Sequence, residues 1–483
     1  MPYYYRLKHT YGPQIPQIVE RKKRTARNLI KLRNALQAHI EGEDNNLDEH
    51  LDVSDKKIID SKKFLRLATW NIREFDSGKF GSRLDESYYY IAEIMANFDL
   101  IAVQEVNDDL YALERVMGLL GSEWKYIATD VTQGSAGNNE RMVFVFNSSK
   151  VWFNDIAGEL SIPKGDKIAF PHEERIQFED ELEIKLPPGS KLSVGDVKLR
   201  KRKEKRFLKE ELLIDLPEGA SIDLPVGTKI VLPRGMEVDH DDGVIKIPKG
   251  QTPVFKPDDK GRKPMLKLPD GLIVGDKLQF ARTPFIVSFQ CGWLKLNLCT
   301  VHIYYGEGHE GLARRRDEIE SLTKLLSNRA ERDWEFNPGS FMIALGDFNI
   351  IDQNHETMKA LNSNHFKVPK KLQELPGTNI DKTKAYDQIA YWQDEKVIEK
   401  SEQVTRLEVQ RAGVFDFFET VFKEGDIYDP DGEEEAFYRS DEDYKDSWVY
   451  KDWRTHQMSD HLPMWVELKI DFGDEYLEDI AAD

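Results

Sequence analysis

The segment SFMIALGDFNI (residues 340–350) is an apolar run that ends on Asp347 and Asn349. Its length and composition predict a strand buried on both faces. A carboxylate and an amide at the end of such a strand are costly unless something pairs with them. The same pattern recurs along the chain. FLRLATWNI (64–72) runs into Asn71, DLIAVQEV (99–106) into Gln104 and Glu105, and PFIVSFQCGWLKLNLCTVHI (284–303) into His302. ERMVFVFN (140–147) reads as a further buried strand. Between them, ESYYYIAEIMANF (86–98) and GLARRRDEIESLTKLLSNRA (311–330) carry helical periodicity. Buried strands interleaved with helices predict layered α/β sheets flanked by helices.

The chain has 483 residues, 40% of them hydrophobic, which suffices for a sizeable core and two or three domains. Its 68 Lys+Arg against 87 Asp+Glu leave a formal charge of -19. A chain this acidic repels polyphosphate at long range, which excludes a passive, charge-driven nucleic-acid coat. Phosphate chemistry then requires local positive charge or metal ions. Cys291 and Cys299 share one apolar stretch and read as small core residues, so a disulfide framework or a cysteine zinc site is excluded. The first residues lack the continuous apolar run of a secretory signal, and nowhere do about 18 apolar residues follow one another. A cytoplasmic protein without membrane anchoring is expected.

Charge divides the chain into three pieces. Residues 1–63 carry about +4, residues 159–278 are neutral, and the remainder carries about -23. In the first piece Leu29, Leu32, Leu36 and Ile40 recur at helical spacing among basic residues, predicting a basic amphipathic helix. Its stripe either docks on the main domain or serves as an arm for a protein or nucleic-acid partner. An acidic linker follows it. The middle piece repeats Pro-x-Gly, beginning at Pro163, Pro217, Pro225, Pro233, Pro248 and Pro269 among others, with Ile168, Ile222, Ile230 and Val238 three residues after a glycine. Pro pre-sets the first turn angle and Gly accepts the second, so short strands joined by tight turns are predicted. The run LRKRKEKRFLK (199–209) within it is either a solvated loop or a finger that contacts phosphate. The predicted organisation is therefore an N-terminal helix and linker over 1–63, a main domain in two parts over 64–159 and 279–471, a β-rich insert over 160–278, and an acidic tail over 472–483.

Polar strand ends carry the chemistry. Besides those above come Tyr386-Asp387-Gln388 and, near the end, Ser459-Asp460-His461. Each alone has an ordinary explanation as a turn cap, a helix start or a satisfied core histidine. Six in one chain are hard to ascribe to chance. Asn71, Glu105, Asp347, Asn349 and Asp460 offer the hard oxygens that Mg²⁺ takes, without the sulfur and multiple imidazoles that zinc prefers. His302 and His461 could then be oriented by carboxylates to stabilise phosphoryl charge and assist proton transfer.

Taken in order, ATWNI, VQEV, NNERMVFVFN, ARTPFIVSF, TVHI, GDFNI, AYDQI and SDHLP resemble the endonuclease/exonuclease/phosphatase superfamily, the DNase I-like fold, over 64–158 and 279–470. The resemblance implies a four-layered α/β sandwich with its site at the strand ends. It implies metal-site roles for Asn71, Glu105 and Asp460, and water and phosphate positioning for Asp347 and Asn349. It also implies a catalytic His461 partnered by Asp387, a second histidine His302 partnered by Glu140, and a phosphate-binding Arg282. The chain departs from DNase I-type nucleases at Asn107, Asn138 and Gln388, which concern duplex binding rather than hydrolysis. The function expected is a Mg²⁺-dependent phosphodiesterase (Mn²⁺ a substitute) that cleaves nucleic acid, DNA first. Alternatives are a phosphatase or phospholipase-type hydrolase of inositol phosphates or sphingolipids, or a non-catalytic binding protein that keeps the fold.

Overall fold

The computed structural model describes residues 2–8, 16–41, 62–75, 83–131, 140–161, 280–306, 308–337, 339–395, 406–423 and 447–482, together with short strands between 162 and 279. The chain divides into two compact units, one formed by Met1–Ser161 with Phe280–Asp483 and the other by Ile162–Gln279.

The first unit holds two six-stranded sheets. One has β1 (Phe64–Phe75) and β2 (Leu100–Asn107) at its centre, joined by helix α2 (Asp85–Met95). This pair is parallel, and the strands beyond it, β3 (Trp124–Ala128), β4 (Glu140–Asn147), β11 (Val409–Val414) and β12 (Met464–Lys469), are antiparallel to their neighbours. Its order is β11-β12-β1-β2-β4-β3. The second sheet repeats the plan. Its central parallel pair is β7 (Leu294–His302) and β8 (Ser340–Asp347), joined by α4 (Gly308–Phe336), and its order is β9-β10-β8-β7-β6-β5. Here β5 is Trp152–Glu159, β6 Phe285–Cys291, β9 Phe366–Lys367 and β10 Asp387–Trp392.

The fully buried strands explain both the apolar runs and the layering. All eight residues of β8 are buried, as are Leu65, Leu67, Ala68 and Ile72 of β1. Phe144 and Phe146 of β4 meet Phe289 of β6 edge-on, with centroids 5.5 and 5.3 Å apart. Gln104 crosses between the sheets, bonding Thr69 on its own sheet and donating to Thr300 Oγ1 of the other at 2.8 Å, so this polar side chain is satisfied inside the core. The apolar stretch 284–303 breaks into the β6–β7 hairpin at Gly292, whose positive φ of 53° suits glycine and whose absent Cβ would stand 2.5 Å from Ile470 O.

Helix α1 (Pro16–Glu41) packs within this unit. Leu29, Leu32, Leu36 and Ile40 are buried, each contributing roughly 1.5–3 kcal/mol. Arg24 forms a buried ion pair with Glu86 of α2, and Arg33 pairs with Glu93 at 2.9 Å. At its far end Arg411 donates to Ile40 O at 2.8 Å. The docked alternative for this helix is the one observed, and its interior basic residues are consumed by that docking. Residues Gly473–Ala482 form a further helix with none of its residues buried.

Strands of the second unit pair into sheets of two or three, for example Lys191–Val194 parallel to Lys229–Leu232. Ile168, Ile222 and Ile230 lie on such strands. The Pro-x-Gly sequences, Val238, the basic run 199–209, the linker after Glu41 and Asn138 lie outside the described residues. The unit is spliced into a hairpin of the first. β5 pairs antiparallel with β6, matching Glu159 to Phe285, and Leu160 N donates to Pro284 O at 2.8 Å.

Candidate active site

The central parallel strands of both sheets end at one place. In β1 the register with β2 shifts after Asn71, and in β2 it shifts with β4 between Val103 and Val106. Glu105 sits in that bulge with φ 59°, a left-handed conformation unusual for glutamate. Bulges of this kind re-aim side chains beside functional sites, where backbone strain concentrates. The result is that Asn71 Nδ2 donates to Glu105 Oε1 at 2.9 Å and to Asp347 Oδ2 at 3.1 Å. Asp347 belongs to the other sheet, where it is in register with His302 across the parallel pair. Gly346, with φ 138°, makes that approach possible, since a Cβ there would stand 2.2 Å from Val301 O.

Asp347 is the hub. Its Oδ1 accepts from Asn349 N at 2.8 Å, and its Oδ2 lies 3.6 Å from His302 Nε2 and 3.8 Å from His461 Nε2. Each histidine is backed by its own buried carboxylate. His302 Nδ1 is 2.8 Å from Glu140 Oε1, and His461 Nδ1 is 2.7 Å from Asp387 Oδ2. Arg282 completes the first pair by binding Glu140 through Nε. Burial pushes both imidazoles toward the neutral form, but Glu140 outweighs it at His302, and Asp387 with Asp347 outweighs it strongly at His461. Both are held above the usual histidine range. Glu140 is held low, His302 and Arg282 overcoming its burial.

Local sequence explains why these groups stay in place. Ser459 Oγ donates to Asn71 O at 2.7 Å and accepts from Arg73 N and His461 N, so it stitches the His461 turn to the end of β1. Trp70 Nε1 donates to His461 O at 2.9 Å. Asn349, at φ 52°, donates its amide to Ile303 O at 2.8 Å and so locks the turn after β8 to the end of β7. Tyr386 stacks on the His461 ring at 5.6 Å.

Thus Asn71, Glu105, Asp347, His302, Glu140, Arg282, His461 and Asp387 form one connected cluster, and Asn349 joins it through its backbone. Asp460 is different. Its side chain is 40% exposed and lies 3.8 Å from Arg73 Nε, and among the described residues it shares no hydrogen bond with Asn71 or Glu105. It still raises His461 electrostatically. Sequence reading did not single out Ser459 as a clamp, or Tyr386 as a lid on the imidazole. Their only signal is adjacency to Asp460-His461 and Asp387. The donor set suits a hard divalent cation: Asn71 Oδ1 is buried without a hydrogen-bond partner among the described residues, beside the Glu105 carboxylate. Two groups have converging ligand atoms, Glu105 with Glu140 and His302, and Asp347 with Asp387 and His461, each within 4.8 Å.

Paired mixed sheets, each with a parallel centre whose strand ends meet over this cluster, decide the architecture. The fold is the layered α/β sandwich that the sequence predicts. No family model and no curated protein matches the sequence. Among solved structures the chain is similar to humanized D. rerio TDP2, at 8% identity and a TM-score of 0.38, covering 84% of this chain and 99% of that one. It is similar to the human Nocturnin catalytic domain at 11% identity and 0.38, covering 84% and 95%. An endonuclease/exonuclease/phosphatase family protein from Bacteroides thetaiotaomicron aligns at 12% identity and 0.39, covering 84% and 95%.

Proposed function

We propose that the chain is a metal-dependent phosphodiesterase, with Mg²⁺ as its ion and DNA as its first substrate. The observation that carries this reading is the convergence of two carboxylate-backed imidazoles on Asp347 Oδ2, opposite Asn71 and Glu105. Their carboxylate partners favour the cationic forms of His302 and His461, which place positive charge where phosphoryl oxygens gain negative charge. Arg282, anchored by Glu140, adds a third cation. Asp347 orients a water and takes its proton as the water oxygen bonds to phosphorus, and the opposite P–O bond breaks, its electron pair leaving on the departing oxygen. An imidazolium supplies the proton that oxygen takes up. Asn71 and Glu105, with Asp460 as a further carboxylate, would hold the metal, which neutralises charge on the phosphoryl oxygens when bound.

A cation also answers the acidity of the catalytic part, whose sequence charge of about -23 would otherwise repel a polyanion. Among the described residues no helix is long and apolar enough to cross a membrane. The test is a purified-protein panel of plasmid, single-stranded DNA, RNA, inositol phosphates and sphingomyelin, each with Mg²⁺ and with EDTA. Plasmid nicking abolished by EDTA is expected. Hydrolysis confined to inositol phosphates or sphingomyelin overturns the choice of substrate, and metal binding without turnover of any phosphoester overturns the enzyme.

A further inference from the structure

Beside His461 opens a recess of about 300 Å³, lined by Tyr305, Leu312, Arg315, Ile351, Lys384 and Tyr386. Tyr386, which stacks on His461, joins the recess to the cluster described above. Arg315 supports the recess from the loops around it. Each of its three nitrogens donates to a loop carbonyl, of Tyr304 at 3.1 Å, Asn349 at 2.8 Å and Gly306 at 3.0 Å, so it organises the loops. Its guanidinium lies 5.0 Å from the Tyr305 ring centroid.

Tyr305 and Tyr386 meet edge to face with centroids 6.5 Å apart, and Tyr305 is 50% exposed. Such a pair leaves aromatic surface uncovered next to the hydrolytic centre. Lys384 is half-buried, and among the described residues its ammonium has no acidic partner, whereas the nearby Lys382 and Lys451 are both in ion pairs. An unpaired cation, two aromatic rings and the apolar Leu312 and Ile351 match a planar ring tethered to a phosphate. An inositol ring is polar on every side and has no flat face to stack. An acyl chain has no use for the ammonium.

We infer that this recess is a subsite for the nucleobase of the nucleotide adjacent to the scissile phosphate. The base stacks on tyrosine, and Lys384 meets a phosphate oxygen. Stacking of a base on an aromatic side chain is worth at least about fivefold in affinity. At this volume, at the lower end of ligand pockets, the recess takes one base and not a base pair. The inference rests on the phosphodiesterase reading for the phosphate, while the recess is defined by its own residues.

The experiment compares adenosine 5′-monophosphate with ribose 5-phosphate by calorimetry in Mg²⁺. The full-length protein is expected to prefer the base-bearing ligand at least about fivefold. Tyr305→Ala should bring that ratio near one, and Tyr305→Phe, which keeps the ring, should restore it. Lys384→Ala should weaken both ligands together. Equal binding of the two ligands by the unmodified protein overturns the subsite, as does an unchanged ratio in Tyr305→Ala that still melts cooperatively. Plasmid nicking with no base preference removes the subsite alone. Base preference without hydrolysis of any phosphodiester removes the catalytic reading and supports the subsite.

Discussion

Replacing Asp387 by Asn tests the site at its most informative bond. The carboxylate is completely buried and accepts from His461 Nδ1 at 2.7 Å, and an amide of the same shape can keep that hydrogen bond while losing the charge. At an effective dielectric near 20 the lost attraction is about 6 kcal/mol in gross terms. Asp347, 3.8 Å from the other ring nitrogen, remains and retains roughly two-thirds of that strength by itself. Part of the loss is also repaid, because Asp387 is pushed up by burial and ionises at a cost that Asn avoids. The net effect on the reaction should be about 3–5 kcal/mol, a fall of roughly 10²–10⁴ in kcat/KM. Initial rates of plasmid nicking in saturating Mg²⁺ measure it, with a cooperative thermal melt as the control for folding. A folded Asp387→Asn protein within threefold of the unmodified rate would refute the assignment of His461 and its partner.

Asn71→Ala removes the amide that bridges Glu105 and Asp347 together with a buried oxygen left for a cation. It should raise the Mg²⁺ concentration for half-maximal activity by about 10–100-fold, read from a metal titration. Glu318, on α4, accepts from Ala281 N at 3.0 Å and is pushed up to about 7 by burial. Its folded value exceeds the unfolded one, so its contribution is intact below about pH 4 and is lost as pH rises toward 7, some 3 kcal/mol in all. Glu318→Gln should therefore raise the melting temperature at pH 8 and lose that advantage at pH 4; the same gain at both values would count against it. Leu32→Ala, at a completely buried position of α1, should cost about 2–5 kcal/mol in urea unfolding. A change under about 0.5 kcal/mol would mean the helix is not docked in solution.

Much of this arrangement could be read before any coordinates. An apolar strand that stops on Asn71, Glu105, His302 or Asp347 has nowhere cheap to put a polar group, so meeting at one point is the economical solution. The leucine stripe of α1 likewise demanded a partner surface, although nothing in the helix itself pointed to Glu86. Other features depend on geometry that no linear pattern encodes. Arg315 sits between two other arginines in a helix, and nothing in that run sets it apart, yet it is buried and its donors hold three loop carbonyls. Asn349, expected from sequence to help position water and phosphate, donates its Nδ2 to Ile303 O. Asp460 turns toward Arg73 because the preceding Ser459 is tied to β1, a constraint set across some 390 residues of chain.

The hairpin that carries the second unit has a practical consequence. Departure and return of the chain lie across neighbouring rungs of one antiparallel ladder, closed by the bond from Leu160 N to Pro284 O. A short turn could bridge the same gap, because loop length at such a tip adds little to the closure entropy. The cassette is therefore removable in principle without unthreading either sheet, and its return arm delivers Arg282 to Glu140. A lineage could exchange what it carries there while the cluster at the strand ends is inherited whole.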